Sequence, residues 1–445
     1  MQDNAMVNAY KPGLVSLPAD ELAMIERRKR LLGPAYRLLY QHPVHVVRGQ
    51  GVWLYDTDGQ AYLDMYNNVA SVGHCHPHVV RAMAAQAAML STNTRYLHDT
   101  ILQYSERLLA KFPPHLGHLM FTCTGSEAND LAIRATCAYT GATGLIVTEC
   151  AYHGITKAVS EISPSLGRNV DLGVHVRTVP APDLYRSPGS DVAAELRRNV
   201  EEAIADLRRH GIKPAAFICD SIFSSDGVFA EPAGFLAGAV GAIHAAGGLY
   251  IADEVQPGFG RTGGHMWGFQ RHGVLPDIVT LGKPMGNGYP VAAMVVRPEV
   301  VAEFGANARY FNTFGGNTVA VATAMAVLDV IENEGLMLNA ADTGAYLHAG
   351  LQSLSQEFEA LGDVRSAGLF FGVEVVSDRA AKTPDAAFTN QLVNDLRERR
   401  VLISATGPRA NVLKIRPPLV FNRSDADFFI EQLREVLLFN ATSKG

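Results

Sequence analysis

A lysine standing alone at the end of an apolar run becomes a reactive amine when burial strips its water. Leu281-Gly282-Lys283-Pro284-Met285-Gly286-Asn287-Gly288-Tyr289-Pro290 has that form. Desolvation lowers a lysine's pKa, which suits Schiff-base and general-base chemistry. A lysine snorkelling from a sheet edge would be written with the same letters. Upstream, Leu249-Tyr250-Ile251-Ala252-Asp253-Glu254-Val255-Gln256 ends another apolar run on Asp253. An acid at the carboxyl edge of an open α/β sheet is costly unless it meets a cation, for example a protonated ring nitrogen. It is equally at home capping the next turn. The third constellation is Thr124-Gly125-Ser126-Glu127-Ala128-Asn129, between a strand and a helix. Gly125 and Ser126 would offer backbone N–H groups to an anion at the helix N-terminus. Thr124 with Glu127 also writes an ordinary capping box.

Two other patterns fail on context. Gly258-x-Gly260-x-x-Gly263 matches the dinucleotide fingerprint, yet Arg261-Thr262-Gly263-Gly264 continues as loop where that motif needs a helix. His74-Cys75-His76-Pro77-His78 has no common zinc spacing and reads as a turn into a helix beginning near His78. No metal is expected.

The elements that must position these residues follow from apolar periodicity. Asp20–Leu32 reads as an amphipathic helix, and Val44–Tyr66 alternates like a β-hairpin turning at Asp58-Gly59. From about residue 78 to 335, strands alternate with helices. The strands are His118–Cys123, Leu145–Thr148, Ala215–Cys219, Leu249–Asp253, Asp277–Leu281 and Val291–Val296; the helices include Glu127–Tyr139, Ala233–Ala246 and Val319–Glu332. This alternation predicts an α/β fold, a mostly parallel sheet covered by helices. Beyond Gly335 come a helix, a strand-like Val364–Val376, a helix around Ala387–Arg399 and a last helix from Ser424. With the N-terminal hairpin they suggest a smaller α+β domain built from both chain ends.

At 445 residues the chain has room for two or three domains, and 48% apolar with 18% charged residues is an ordinary globular mix. The formal charge of −6 argues against nucleic acid or an anionic membrane as partner, because both need a basic face. Met1–Ala9 lacks a signal-peptide pattern, and no apolar run reaches the ~18 residues of a membrane span. Five cysteines without a CxxC pair suggest reduced thiols and a cytoplasmic protein.

Taken in order, the Gly-Ser-Glu-Ala-Asn turn, Tyr152-His153-Gly154, Asp253-Glu254-Val255-Gln256 and Lys283 resemble the class III aminotransferase family. The resemblance runs from about Val44 to Leu438. It implies fold type I, the pyridoxal 5'-phosphate-dependent transferase fold, with residues 1–66 and 336–445 forming the small domain and 67–335 the large cofactor-binding domain. It further implies that Lys283 carries the cofactor as a Schiff base and moves the substrate's Cα proton. Asp253 would hold the ring nitrogen protonated and Gln256 would bond the ring hydroxyl. Gly125 and Ser126 would hold the phosphate while Tyr152 stacks on the ring. Thr313, in Asn312-Thr313-Phe314-Gly315-Gly316-Asn317, would reach the phosphate of the neighbouring subunit, which implies a homodimer with shared active sites.

Within that family, Asn67–Pro77, Asn93–Asp99 and Asn411–Pro418 resemble its phospho-lyase branch, which acts on phosphorylated amines such as phosphoethanolamine. Many aminotransferases place a carboxylate-binding arginine where this chain has Lys414, and a partner acid where it has Ser225. Lysine lacks the bidentate fork suited to carboxylates. The expected reaction is therefore elimination of phosphate from a small phosphorylated amine, with Arg95, Lys414 and Arg416 as candidate cations for the substrate. The alternative is a true aminotransferase passing an amine to pyruvate or 2-oxoglutarate. A non-catalytic or nicotinamide-dependent protein sharing the fold is the third reading.

Overall fold

The computed structural model describes residues 6–442. Residues 1–5, which belong to the stretch read for a leader pattern, and 443–445 lie outside the described residues. A seven-stranded sheet forms the centre, in the order His118–Thr122, Ala292–Val296, Ile278–Leu281, Leu249–Asp253, Pro214–Cys219, Gly144–Thr148, Val176–Val179. The last five of these run parallel, and Ala292–Val296 is antiparallel to both its neighbours. The sheet is thus mostly parallel, as the alternation predicts.

Both faces are covered, and the period of two assigns each residue its face. Leu249 and Ile251 join Leu131, Ala132 and Ala135 of the helix Gly125–Thr140 in one cluster. Tyr250 and Ala252 join Leu236, Val240 and Ile243 on the other side. Asp253 therefore belongs to the face beneath Gly125–Thr140.

Two smaller sheets complete the molecule. Val46–Gln50, Trp53–Asp56 and Ala61–Asp64 form an antiparallel set that Val401–Leu402 extends in parallel, with Val401 opposite Leu63. Leu361–Ser366, Phe371–Asp378, Val412–Ile415 and Ser404–Thr406 form the other. The expected single hairpin over Val44–Tyr66 is three strands, because Gly51 takes a left-handed conformation (φ 58°) and reverses the chain before Asp58-Gly59 does so again. Gly368, at φ 55°, likewise breaks the expected Val364–Val376 run into two. The helix Ala19–Leu32 forms, but none of its residues is buried within a single chain.

The histidine cluster is dispersed onto separate carboxylates: His74 on Asp64 at 2.7 Å, His76 on Glu334 at 3.1 Å and His78 on Asp329 at 2.9 Å. Pro77 opens the helix Pro77–Met89 between them. Among the described residues no helix is long and apolar enough to cross a membrane.

Candidate active site

Lys283 and Asp253 meet because their strands are neighbours. Leu249–Asp253 and Ile278–Leu281 run parallel with Asp253 opposite Thr280, so both chains leave the sheet at its carboxyl edge. Gly282 then packs on the start of the Gly125–Thr140 helix; a Cβ there would lie 3.3 Å from the Gly125 backbone. Lys283 opens the short 3-10 helix Lys283–Gly286. Burial, followed by the charge of Arg416, pulls its amine from 10.5 down to about 8, against the opposing pull of Asp253 and Asp220.

Three donors converge on the buried Asp253 carboxyl. His153 Nδ1 lies 2.7 Å and Asn129 Nδ2 3.1 Å from Oδ2, while the Val255 amide donates to Oδ1 at 3.1 Å. Asn129 also donates to the His153 carbonyl at 2.8 Å and accepts from Thr280 Oγ1 at 2.7 Å. His153 Nε2 is buried without a partner among the described residues. The neighbouring Glu254 turns to the other face, where it accepts from the amides of Gly268 at 2.7 Å and Phe269 at 2.8 Å. Burial pushes its carboxyl up to about 8.

A cavity of about 320 Å³ opens in front of these groups. One wall is the helix start, where the capping box is real: Thr124 Oγ1 accepts from Glu127 N at 3.1 Å, and Glu127 Oε2 accepts from Thr124 N at 3.1 Å. The first intrahelical bond is Ala128 N to Thr124 O, which leaves the amides of Gly125 and Ser126, both lining the cavity, without an intrahelical acceptor. Capping and anion binding are thus compatible, since they use different N–H groups. Tyr152 lines the same space, with Lys283 Nζ 6.0 Å from its ring centre.

Behind Gln256, outside the cavity lining, lies a buried layer of basic residues. Gln256 Oε1 accepts from Asn68 Nδ2 at 2.8 Å and from Arg416 Nη1. Arg416 Nε donates to the Tyr66 carbonyl at 2.7 Å. The Phe370 ring lies 5.6 Å from Lys414 Nζ and 5.9 Å from the Arg416 guanidinium carbon. Lys414 is only 7% exposed, and burial together with Arg416 pulls it well below the usual lysine range. Ser225 stands in the acid's place, and the charges of Asp220 and Asp226 in the same segment oppose the lowering without pairing with Lys414 among the described residues.

Arg95 and Thr313 are not brought to this cavity within one chain. Both are exposed, and the Arg95 guanidinium stacks 3.7 Å from the centre of Phe311, two residues before Thr313. They share one strip of surface. Conversely, residue reading alone passed over Asn129 and His153 as partners of Asp253. Both sit inside the Gly-Ser-Glu-Ala-Asn and Tyr-His-Gly segments, so the signal was present, but the pairing depends on which face of the strand Asp253 occupies.

The family model for aminotransferase class-III matches residues 37–437. An alanine–glyoxylate aminotransferase 2-like protein of Drosophila melanogaster is 45% identical over 428 residues, 93% of this chain and 86% of that protein. The chain belongs to the class-III aminotransferase family. Among its relatives, ethanolamine-phosphate phospho-lyase homolog 1 of Caenorhabditis elegans is 36% identical, over 93% of each chain. A phospholyase from Arthrobacter, solved in complex with phosphoethanolamine, superposes with a TM-score of 0.90 at 43% identity, covering 93% of this chain and 99% of that one.

Class-III aminotransferases depend on pyridoxal phosphate, and the donor set fits that cofactor. The Gly125 and Ser126 amides suit its phosphate, Lys283 its aldehyde and Asp253 its ring nitrogen. Two glycines let the segments around these groups pack closely. A Cβ at Gly125 would lie 2.9 Å from Val255, and one at Gly154 would lie 2.3 Å from Ser126 Oγ.

Proposed function

We propose that this chain is a phospho-lyase, expelling phosphate from O-phosphoethanolamine or a closely related phosphorylated amine to give acetaldehyde, ammonia and phosphate. The observation that carries the reading is the buried Lys414–Arg416 pair held behind Gln256, which itself lines the Lys283 cavity: basic groups one residue removed from that space, with lysine where a carboxylate clamp needs a fork. The phospho-lyase homologue and the phosphoethanolamine-bound neighbour support it.

When bound, pyridoxal phosphate supplies an electron sink for negative charge at the carbon bearing the amine. Lys283, its amine lowered towards neutrality by burial, holds the cofactor and afterwards moves the proton at that carbon. Asp253, oriented by His153 and Asn129, keeps the ring nitrogen protonated. Gly125 and Ser126 would hold the cofactor phosphate, with Tyr152 against its ring and Gln256 at its hydroxyl. Lys414 and Arg416 receive the substrate phosphate and stabilise it as it leaves. Thr313, exposed in its own chain, reaches the cofactor phosphate of a second subunit, so the working unit is a homodimer. Arg95, on the same strip, would follow it there.

The Drosophila relative favours a second reading, transfer of an amine to a keto acid. The two separate in one experiment: holoenzyme with O-phosphoethanolamine and no keto acid, assayed for phosphate and acetaldehyde. Stoichiometric release of both is expected. No phosphate from phosphoethanolamine or phosphohydroxylysine, with steady alanine formation from an amine and pyruvate, would overturn the proposal.

A further inference from the structure

The Gly258–Gly264 loop, which failed as a nucleotide fingerprint, carries an arginine with no carboxylate partner. Arg261 is 2% exposed and makes no salt bridge among the described residues. Its Nη1 donates to the carbonyls of Leu369, at 3.2 Å, and Pro417; its Nη2 has no partner. Its own carbonyl accepts from the Leu369 amide at 3.0 Å, so Leu369 is gripped from both sides. The approach is as close as backbones allow. A Cβ at Gly368 would lie 2.5 Å from the Arg261 oxygen, and one at Gly263 would lie 2.9 Å from the Ala341 backbone.

Both gripped residues adjoin the cationic layer. Leu369 precedes Phe370, the ring that both Lys414 and Arg416 approach, and Pro417 follows Arg416 itself. A buried arginine whose hydrogen bonds go only to carbonyls, with Asp64 acting on its charge but not paired to it, is an expensive arrangement for a mere bolt between two segments. Burial, then the like charge of Arg416, pulls its guanidinium down to about 9, still protonated at neutral pH.

We propose that Arg261 is a positioning and specificity residue of the substrate-phosphate subsite: its grip on Leu369 and Pro417 fixes Phe370 and Arg416, and its charge makes the subsite prefer a dianion. The proposal rests on the phospho-lyase reading above. It gives the Gly-Arg-Thr-Gly loop a role in substrate choice, although the loop does not line the cavity.

The test uses holoenzyme and inorganic phosphate as probe, with acetate as the singly charged comparison, binding being followed by calorimetry and unfolding by a thermal midpoint. Arg261→Gln should weaken phosphate binding about tenfold, within the range of a lost charge-assisted contribution, while changing acetate binding little. Arg261→Lys, which keeps the charge and loses the fork, should recover part of the phosphate-over-acetate preference even where its melting midpoint falls as far. If Arg261→Gln does not fold, Arg261→Lys decides alone: a preference intermediate between parent and none supports the role. An unchanged phosphate-over-acetate ratio in either variant overturns it. Parent holoenzyme that binds no phosphate overturns the phospho-lyase reading and this inference together. Parent that binds phosphate and loses it in Lys414→Ala, while Arg261→Gln binds like the parent, overturns this inference alone.

Discussion

The lowered amine of Lys283 makes a direct prediction about cofactor capture. Only the unprotonated amine condenses with an aldehyde, so the rate of reloading stripped protein with pyridoxal phosphate should climb through about pH 8 and level off above it, read from the visible absorbance. A midpoint near the ordinary lysine value of 10.5 would show that Lys283 is not desolvated. Lys283→Ala should abolish that absorbance and turnover together. Asp253 allows a graded test through its neighbours. Asp253→Asn removes the charge facing the ring nitrogen and should lower kcat roughly tenfold to a hundredfold, the equivalent of a charge-assisted bond. His153→Phe removes one of three donors to the same carboxyl and should cost less. Equal losses in the two variants would mean that His153 acts on its own, through its unpartnered Nε2.

At the scale of elements, the turn after Leu249–Asp253 is held by a buried acid. Glu254 accepts from two amides, and burial lifts its pKa from 4.5 to about 8. Its folded pKa lies above its unfolded one, so the native state binds the extra proton. Stability from this group is full below about pH 4.5 and is lost as pH rises towards 8. Glu254→Gln keeps an acceptor oxygen without the ionisation, and its melting midpoint should fall less than the parent's between those limits; parallel curves would remove Glu254 as a cause. Such elements were unevenly legible. Leu249–Asp253 and Ile278–Leu281 declare themselves because, Thr280 apart, every residue is apolar or strand-terminal, and their junction with Lys283 follows from parallel pairing. Val176–Val179 does not, because an edge strand reading Val-Arg-Thr-Val, half-buried in the middle, has too little apolar pattern. The Asp253–His153–Asn129 contact was hidden for another reason: it depends on strand face and helix docking, which no local run of letters encodes. Arg261 was hidden by a misleading motif, since the glycines around it serve close backbone crossing.

For the whole molecule, the exposed strip bearing Arg95, Phe311 and Thr313 sets the test of the dimer. Thr313→Ala alone should weaken cofactor binding. Mixed with Lys283→Ala chains, it should regain tight sites in the fraction that random pairing allows, because a mixed dimer joins an intact lysine to an intact threonine across subunits. A fully active monomer in solution would refute the arrangement. The Val401–Leu402 strand has a different consequence, for how the chain is made. It closes the sheet begun by Val46–Gln50, pairing residues more than 300 positions apart. At about 5–20 residues per second, a ribosome needs on the order of half a minute to supply that last strand. Throughout that interval the segment carrying Asn68 has no completed sheet to lean on, while Gly125 to Lys283 has already emerged. The nascent chain can therefore assemble the Gly125–Lys283 cradle before the segment bearing Lys414 and Arg416 exists, so that, on the phospho-lyase reading proposed above, selectivity would be added late.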